Sequence, residues 1–235
     1  MTDILARPDI ELQELAGRAS AQLEGAQPLE VLRWAGETFG DRFCLTSSMG
    51  DALLATLAAE AIPGVDVVFL DTGYHFAETL QTRDRVAAEL DVTIVTVKPE
   101  LTVAQQNIEY GLSLYARDAD ACCAMRKVEP LDRGLAPYDA WASGVRRDES
   151  YARRHTPVIG VDTRRNKIKV NPLAGWTQED VDRFTAERNV IVNPLVERGF
   201  LSIGCAPCTR PVKAGEDRRA GRWSESEKTE CGIHL

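Results

Sequence analysis

The chain has 235 residues, 44% of them hydrophobic and 27% charged, with a formal net charge of −8. That length supports one substantial core, and apolar runs such as Val67–Leu70 are far too short to span a bilayer. No basic region followed by an apolar one opens the sequence, so membrane, secreted and largely disordered classes are set aside and the cytoplasm is the expected location.

Charge is unevenly spread. Residues 1–125 carry 8 basic and 20 acidic side chains, whereas residues 126–170 carry 11 basic and 6 acidic. An acidic body repels a nucleic-acid backbone, so no nucleic-acid partner is expected. A basic segment within it suits a small anion, a solvated charged face being the alternative.

In chain order, residues 9–24 and 28–39 read as amphipathic helices, with apolar positions Ile10, Leu12, Leu15 and then Leu29, Leu32, Trp34. A strand at Phe43–Thr46 leads into a helix near Asp51–Ala61, broken by Pro63-Gly64. A strand at Val65–Leu70, a helix near Phe76–Leu90 and a strand at Val92–Val97 follow. This alternation predicts an α/β fold, an open and mainly parallel sheet flanked by helices. Further strands are expected at Tyr138–Ala142, Pro157–Val161 and Lys167–Val170, then a helix capped by Thr177 and running to about Glu187. The organisation expected is residues 1–40 as N-terminal helices, 41–204 as a nucleotide-binding α/β unit, and 205–235 as a CxxC segment with an extended, partly mobile tail, all in one domain.

Six cysteines occur. In a protein assigned to a reducing compartment, metal binding or thiol chemistry is favoured over disulfides. Cys44 lies inside the first strand pattern and reads as a core residue. Cys205-Ala-Pro-Cys208 lets two thiolates face one ion or cluster, although a CxxC is equally compatible with a redox pair or chance. Cys122-Cys123 supplies two more ligands. Neighbouring helical residues point about 100° apart, which favours an iron–sulfur cluster over a compact zinc ion. Lys127, four residues after Cys123, falls on the same helical face, where it could offset cluster charge or reach an anionic substrate. Cys231, beside Gly232 and three residues before His234, suits a tail nucleophile; the alternative is an inert terminal thiol.

Thr46-Ser47-Ser48-Met49-Gly50-Asp51 joins a strand to a helix, where hydroxyls and free N–H groups bind anions. Asp71-Thr72-Gly73-Tyr74-His75-Phe76 stands at a strand end of the kind where open sheets bind ligands. Gly144-Val145-Arg146-Arg147-Asp148-Glu149 adds two guanidiniums, and Arg218, Arg219 and Arg222 precede the tail cysteine.

From about Phe43 to Leu235 the chain resembles the iron–sulfur adenylyl-sulfate reductases among the assimilatory sulfonucleotide reductases. The resemblance rests on Leu70-Asp-Thr-Gly-Tyr-His-Phe, Cys122-Cys-Ala-Met-Arg-Lys-Val, Trp141-Ala-Ser-Gly-Val-Arg-Arg-Asp-Glu, Lys169-Val-Asn-Pro-Leu, Ser202-Ile-Gly-Cys-Ala-Pro-Cys-Thr, Gly221-Arg-Trp and Lys228-Thr-Glu-Cys-Gly-Ile-His. It implies an adenine-nucleotide α-hydrolase-like fold and adenosine 5′-phosphosulfate as substrate. Cys231 would attack the sulfate sulfur and expel AMP, leaving an S-sulfocysteine from which reduced thioredoxin (or glutaredoxin) releases sulfite. The implied [4Fe–4S] ligands are Cys122, Cys123, Cys205 and Cys208. Lys127, Arg219, Arg222 and His234 would surround the transferring sulfonate, while Ser47, Ser48, Gly50, Leu70, Gly144 and Arg147 would hold the nucleotide. A homo-oligomer is compatible with the resemblance. One departure is that Ser48-Met49-Gly50-Asp51-Ala52 lacks a glycine and the final serine of the family's Ser-Gly-Gly-x-Asp-Ser loop. The rival readings are a reductase of the 3′-phosphorylated substrate or of both, a PP-loop ATP pyrophosphatase, and a non-catalytic iron–sulfur module.

Overall fold

The computed structural model describes residues 9–224, 228 and 232–233. Its centre is a six-stranded sheet. The chain opens with α1 (Asp9–Leu23) and α2 (Pro28–Phe39), then passes through β1 (Phe43–Thr46), α3 (Leu53–Ala61), β2 (Val65–Leu70), α4 (Ala77–Glu89) and β3 (Val92–Val97). These bounds match the sequence pattern to within about two residues. At α3, residues 47–52 form a loop rather than the expected first turn, and the Asp51 carboxylate accepts the Leu53 N–H (3.0 Å).

Between β3 and β4 (Ala140–Ala142) lie α5 (Val103–Tyr110), α6 (Leu114–Arg117), α7 (Ala119–Cys123), a π-helical turn over Ala124–Val128, and α8 (Glu129–Leu135). The residues between Cys123 and Lys127 thus form a wider turn rather than the expected α-helix, and the two side chains still line one cavity. After β4 come β5 (Ile159–Asp162), β6 (Lys167–Val170) and α9 (Gln178–Arg188). The Thr177 hydroxyl accepts the Asp180 N–H (3.2 Å), and the Asp180 carboxylate accepts the Thr177 N–H (2.9 Å), giving the expected capping box.

The strand order across the sheet is β3-β2-β1-β4-β6-β5; β1, β2, β3, β4 and β6 run parallel, and β5 pairs antiparallel with β6. Residues 163–166 are too few for a crossover, so that pair must be a hairpin. Each face of the sheet has its own core. Phe43, Leu45, Val67 and Phe69 pack with α1, α2 and α3, whereas Cys44, Val68 and Trp141 pack with Leu131 and Leu135 of α8. Burial pushes the Cys44 thiol well up, as suits a core residue. No helix among the described residues is long and apolar enough to cross a membrane.

Residues 205–224, expected to begin an extended tail, pack against the body. Ala206 donates to the Tyr74 carbonyl (2.7 Å), Trp223 to that of Cys208 (3.0 Å), and Thr209 bridges to Arg222. Cys205 and Trp223 are buried.

Candidate active site

The strand order reverses direction between β1 and β4, and ligands of open α/β sheets bind outside the carboxyl ends at such a point. A cleft of about 300 Å³ opens there. Ser47, Ser48 and Gly50 line it after β1, Leu70 and His75 after β2, and Ser143, Gly144 and Arg146 after β4.

Two fully buried asparagines hold these loops. Asn193 donates to the Met49 carbonyl (3.0 Å) and its backbone N–H bonds Gly50 O (3.1 Å). Met49 needs that support, because its φ of 58° lies in the left-handed region that disfavours a side-chain-bearing residue. Asn171 accepts from Ser143 Oγ (3.1 Å) and donates to the Pro157 carbonyl (2.9 Å). Both open an Asn-Pro-Leu tripeptide, at 171–173 and 193–195. That repetition is the signal by which the sequence marks them.

At β2, His75 Nε2 donates to the Leu70 carbonyl (2.8 Å) and the ring packs on Phe69 (4.9 Å between centroids). Burial holds the imidazole pKa below its ordinary value, so the ring stays neutral at pH 7.

Positive charge converges on the other wall. Lys127, Arg219 and Arg222 all line the cleft. Arg222 lies 4.4 Å over the Trp223 ring, donates to the Ile203 carbonyl (3.4 Å), and has a buried Nε without a hydrogen-bond partner. An unspent buried donor suits an incoming anion. Gly204 makes room for this guanidinium, since a Cβ there would fall 2.4 Å from Arg222 Nη2.

Arg147 departs from its expected place. Its guanidinium turns outward to Glu24 (2.6 and 2.9 Å) and to the Thr156 carbonyl (2.8 Å), tying α1 to the loop after β4, and it does not line the cleft. The neighbouring buried Arg146 does, braced by Asp148 (3.0 Å) and Gln178 (2.8 Å), as does Arg153, paired with Glu149 (2.6 Å). Successive residues of an extended segment point opposite ways, and Arg146 has extended dihedrals.

Cys122, Cys123, Cys205 and Cys208 line one further cavity with Tyr74, Arg126 and Lys127. Burial, reinforced by the neighbouring thiols, pushes Cys122 up to about 11, and burial with Cys205 does the same to Cys208. Thr72 Oγ1 lies 3.3 Å from Cys205 Sγ. Four mutually interacting thiols beside two cations fit a multi-atom thiolate-ligated group. Among the described residues no set of three or more His, Cys, Asp or Glu side chains is arranged to hold a metal ion. Lys127 borders this cavity and the substrate-sized cleft together. Cys231 and His234 lie outside the described residues.

Residues 42–211 match the family described as the phosphoadenosine phosphosulfate reductase domain. The chain is 60% identical to adenosine 5′-phosphosulfate reductase of Streptomyces coelicolor over 95% of both chains. It is 49% identical to the protein of the same name from Mycolicibacterium smegmatis over the whole of both. Among solved structures, a phosphoadenylyl-sulfate reductase from Candida auris, in a phosphate complex, superposes with a TM-score of 0.72 at 30% identity, covering 84% of this chain and 97% of that one. An FMN adenylyltransferase of Candida glabrata shares the fold alone, with a TM-score of 0.57 at 12% identity. The chain belongs to the phosphoadenosine phosphosulfate reductase family.

Proposed function

We propose that the chain reduces adenosine 5′-phosphosulfate to sulfite and AMP. The observation that carries this reading is the placing of Lys127, Arg219 and Arg222 around one cleft at the sheet's switch point, with Lys127 shared by the four-cysteine cavity. The nucleotide occupies the cleft against Ser47, Ser48, Gly50, Leu70 and Gly144, with its phosphosulfate toward the cations.

A thiolate and a sulfate ester repel one another until the sulfonate oxygens are neutralised, and fixed cations do so without reorganisation. Cys231 Sγ then forms a bond to sulfur while the bond from sulfur to the phosphate oxygen breaks, AMP departs with that electron pair, and S-sulfocysteine remains. His234 stabilises the thiolate or the transferring group. A thioredoxin-type dithiol (or glutaredoxin) next attacks Cys231 Sγ, releasing sulfite with the S–S bonding pair. Its second thiol resolves the mixed disulfide, so the dithiol supplies both electrons and restores Cys231.

Cys122, Cys123, Cys205 and Cys208 are the residues that would hold a [4Fe–4S] cluster. When bound, it would supply a fixed field beside Lys127 that polarises the sulfonate site. Such a cluster and a free Cys231 require reducing conditions, which supports a cytoplasmic location. The likeness to the Candida auris enzyme keeps the 3′-phosphorylated substrate as a second reading.

Intact mass spectrometry of anaerobic protein mixed with adenosine 5′-phosphosulfate, and separately with its 3′-phosphorylated analogue, tests this. A single sulfonate adduct from the first, absent in Cys231→Ser, is expected. Equal labelling by both substrates would make the enzyme dual-specific, and no adduct from either would remove Cys231 as nucleophile.

A further inference from the structure

The hairpin between β5 and β6 carries a buried arginine with no part in the cleft. Arg165 is one of the least exposed charged side chains here, at 4%. Its Nε bonds Asp132 of α8 (2.6 Å), and its Nη1 bonds Asp162 of β5 (2.8 Å). The same Nη1 donates to the carbonyl of Ile233 (3.4 Å). Arg165 therefore joins three parts of the molecule: the edge hairpin, α8 and the C-terminal segment.

What lies between hairpin and α8 explains the junction. Ile233 packs against the core on that face of the sheet, formed by Val68, Leu131, Leu135 and Trp141, and it also lines the cleft. Gly232, with φ of +78°, rides over α8's approach, a Cβ there standing 3.5 Å from Val128 Cγ2. Asp132 spans from α8 to both Arg164 (3.3 Å) and Arg165, so ion pairs tie the hairpin to the helix whose Leu131 and Leu135 belong to the core that Ile233 packs on. The guanidinium also lies 5.9 Å from the Trp141 ring centroid. Its planar fork meets Asp132 through one nitrogen and Asp162 and the Ile233 carbonyl through another, a spread that the three donors on the single nitrogen of an ammonium do not reproduce.

We propose that Arg165 is a positioning residue that seats the C-terminal segment through the Ile233 carbonyl. The residues on either side of the seated pair are Cys231 and His234, so the anchor adjoins both in sequence. Its consequence for turnover rests on the reading of Cys231 as the nucleophile. Among the described residues, one apolar side chain and one charge-assisted hydrogen bond hold this dipeptide, a modest attachment. That strength suits a segment that must meet a nucleotide and then a protein reductant.

The test uses the full-length protein with its iron content measured, as wild type, Arg165→Lys, Arg165→Met, Ile233→Ala and Arg165→Met with Ile233→Ala. Arg165→Lys keeps a cation beside Asp132 and Asp162, so it remains informative if Arg165→Met folds poorly. Hydrogen exchange at the C-terminal peptide should quicken about tenfold in Arg165→Lys with the rest of the chain unchanged. Single-turnover sulfonation by adenosine 5′-phosphosulfate should slow about tenfold at saturating substrate, with the Kd for AMP within about twofold of wild type. The double variant should exchange at least as fast as the quicker single variant, because the hydrogen bond and the apolar contact hold the same pair of residues. Unchanged exchange in Arg165→Lys, or a double variant that exchanges more slowly than either single one, overturns the proposal. If wild type forms no adduct, the nucleophile reading falls, and the exchange result alone decides whether Arg165 seats the segment.

Discussion

Lys127 Nζ stands 5.7 Å from the centroid of the Trp223 ring, whose face also draws Arg222 at 4.4 Å and Lys228 at 5.9 Å. An aromatic face attracts cations through its quadrupole, so one buried indole gathers positive charge between the cleft and the cysteine cavity. Trp223 does this from a left-handed backbone, with φ of 48°, a conformation that persists only where surrounding contacts impose it.

Lys127→Ala is accordingly expected to lower kcat/KM by about 100-fold, the scale of losing one preorganised charge at a developing anion. Cys44→Ser, a core change remote from the cleft, should alter activity per folded molecule far less. Steady-state rates of the two variants, normalised to iron content, check this, and comparable losses would remove Lys127 from the sulfonate site.

Arg146 and Arg147 adjoin in sequence and face opposite ways. Arg147→Ala should lower stability by about 0.2–1 kcal/mol, as for other half-exposed ion pairs, and leave KM unchanged. Arg146→Ala removes a buried charge from the cleft wall and should raise KM about tenfold or more. Thermal melts and substrate titrations of both variants separate the two roles.

Gly204→Ala places a methyl group where the Arg222 guanidinium lies. The guanidinium must retreat, so kcat/KM should fall by about 10- to 100-fold. Because Gly204 precedes Cys205, the visible absorbance of the as-isolated variant should be recorded with its rate. A rate loss without loss of colour locates the effect at Arg222.

His75 couples stability to pH. Burial depresses its pKa, so on acidification the unfolded chain takes up a proton near pH 6.5 that the folded chain resists. The unfolded state then binds more protons, and stability falls as pH drops below that range. Denaturant midpoints between pH 7.5 and 5.5 should decline less steeply in His75→Asn than in wild type.

Much of the sheet was legible because its strands are short runs rich in β-branched and apolar residues between turn residues, as at Val65–Leu70 and Val92–Val97. The segment from α5 to α8 was not, since its helices are short and its cysteines sit at the entry to a π turn, which no 3.6-residue period describes. Arg147 was misplaced because two adjacent guanidiniums look alike until the backbone directs them. Asn171 and Asn193 went unread because a buried amide that braces a loop leaves no periodic trace. Arg165 looked like one charge in a basic run, and only its partners on α8 and in the C-terminal segment distinguish it.

The wide turn at Ala124–Val128 fixes more than local shape. A π turn closes its hydrogen bond one residue later than an α turn, so the chain there holds one residue beyond what an α-helix of that span needs. Deleting one residue would return the segment to an ordinary α-helix with the stretches on either side near their present orientation, whereas inserting another would exceed what the wide turn absorbs and rotate one side by about 100°. The Cys122-Cys123 pair and Lys127 would then address different walls. The turn is a link whose slack is already taken up: it holds one extra residue between the cysteine side of the molecule and the nucleotide side, and has no room for a second.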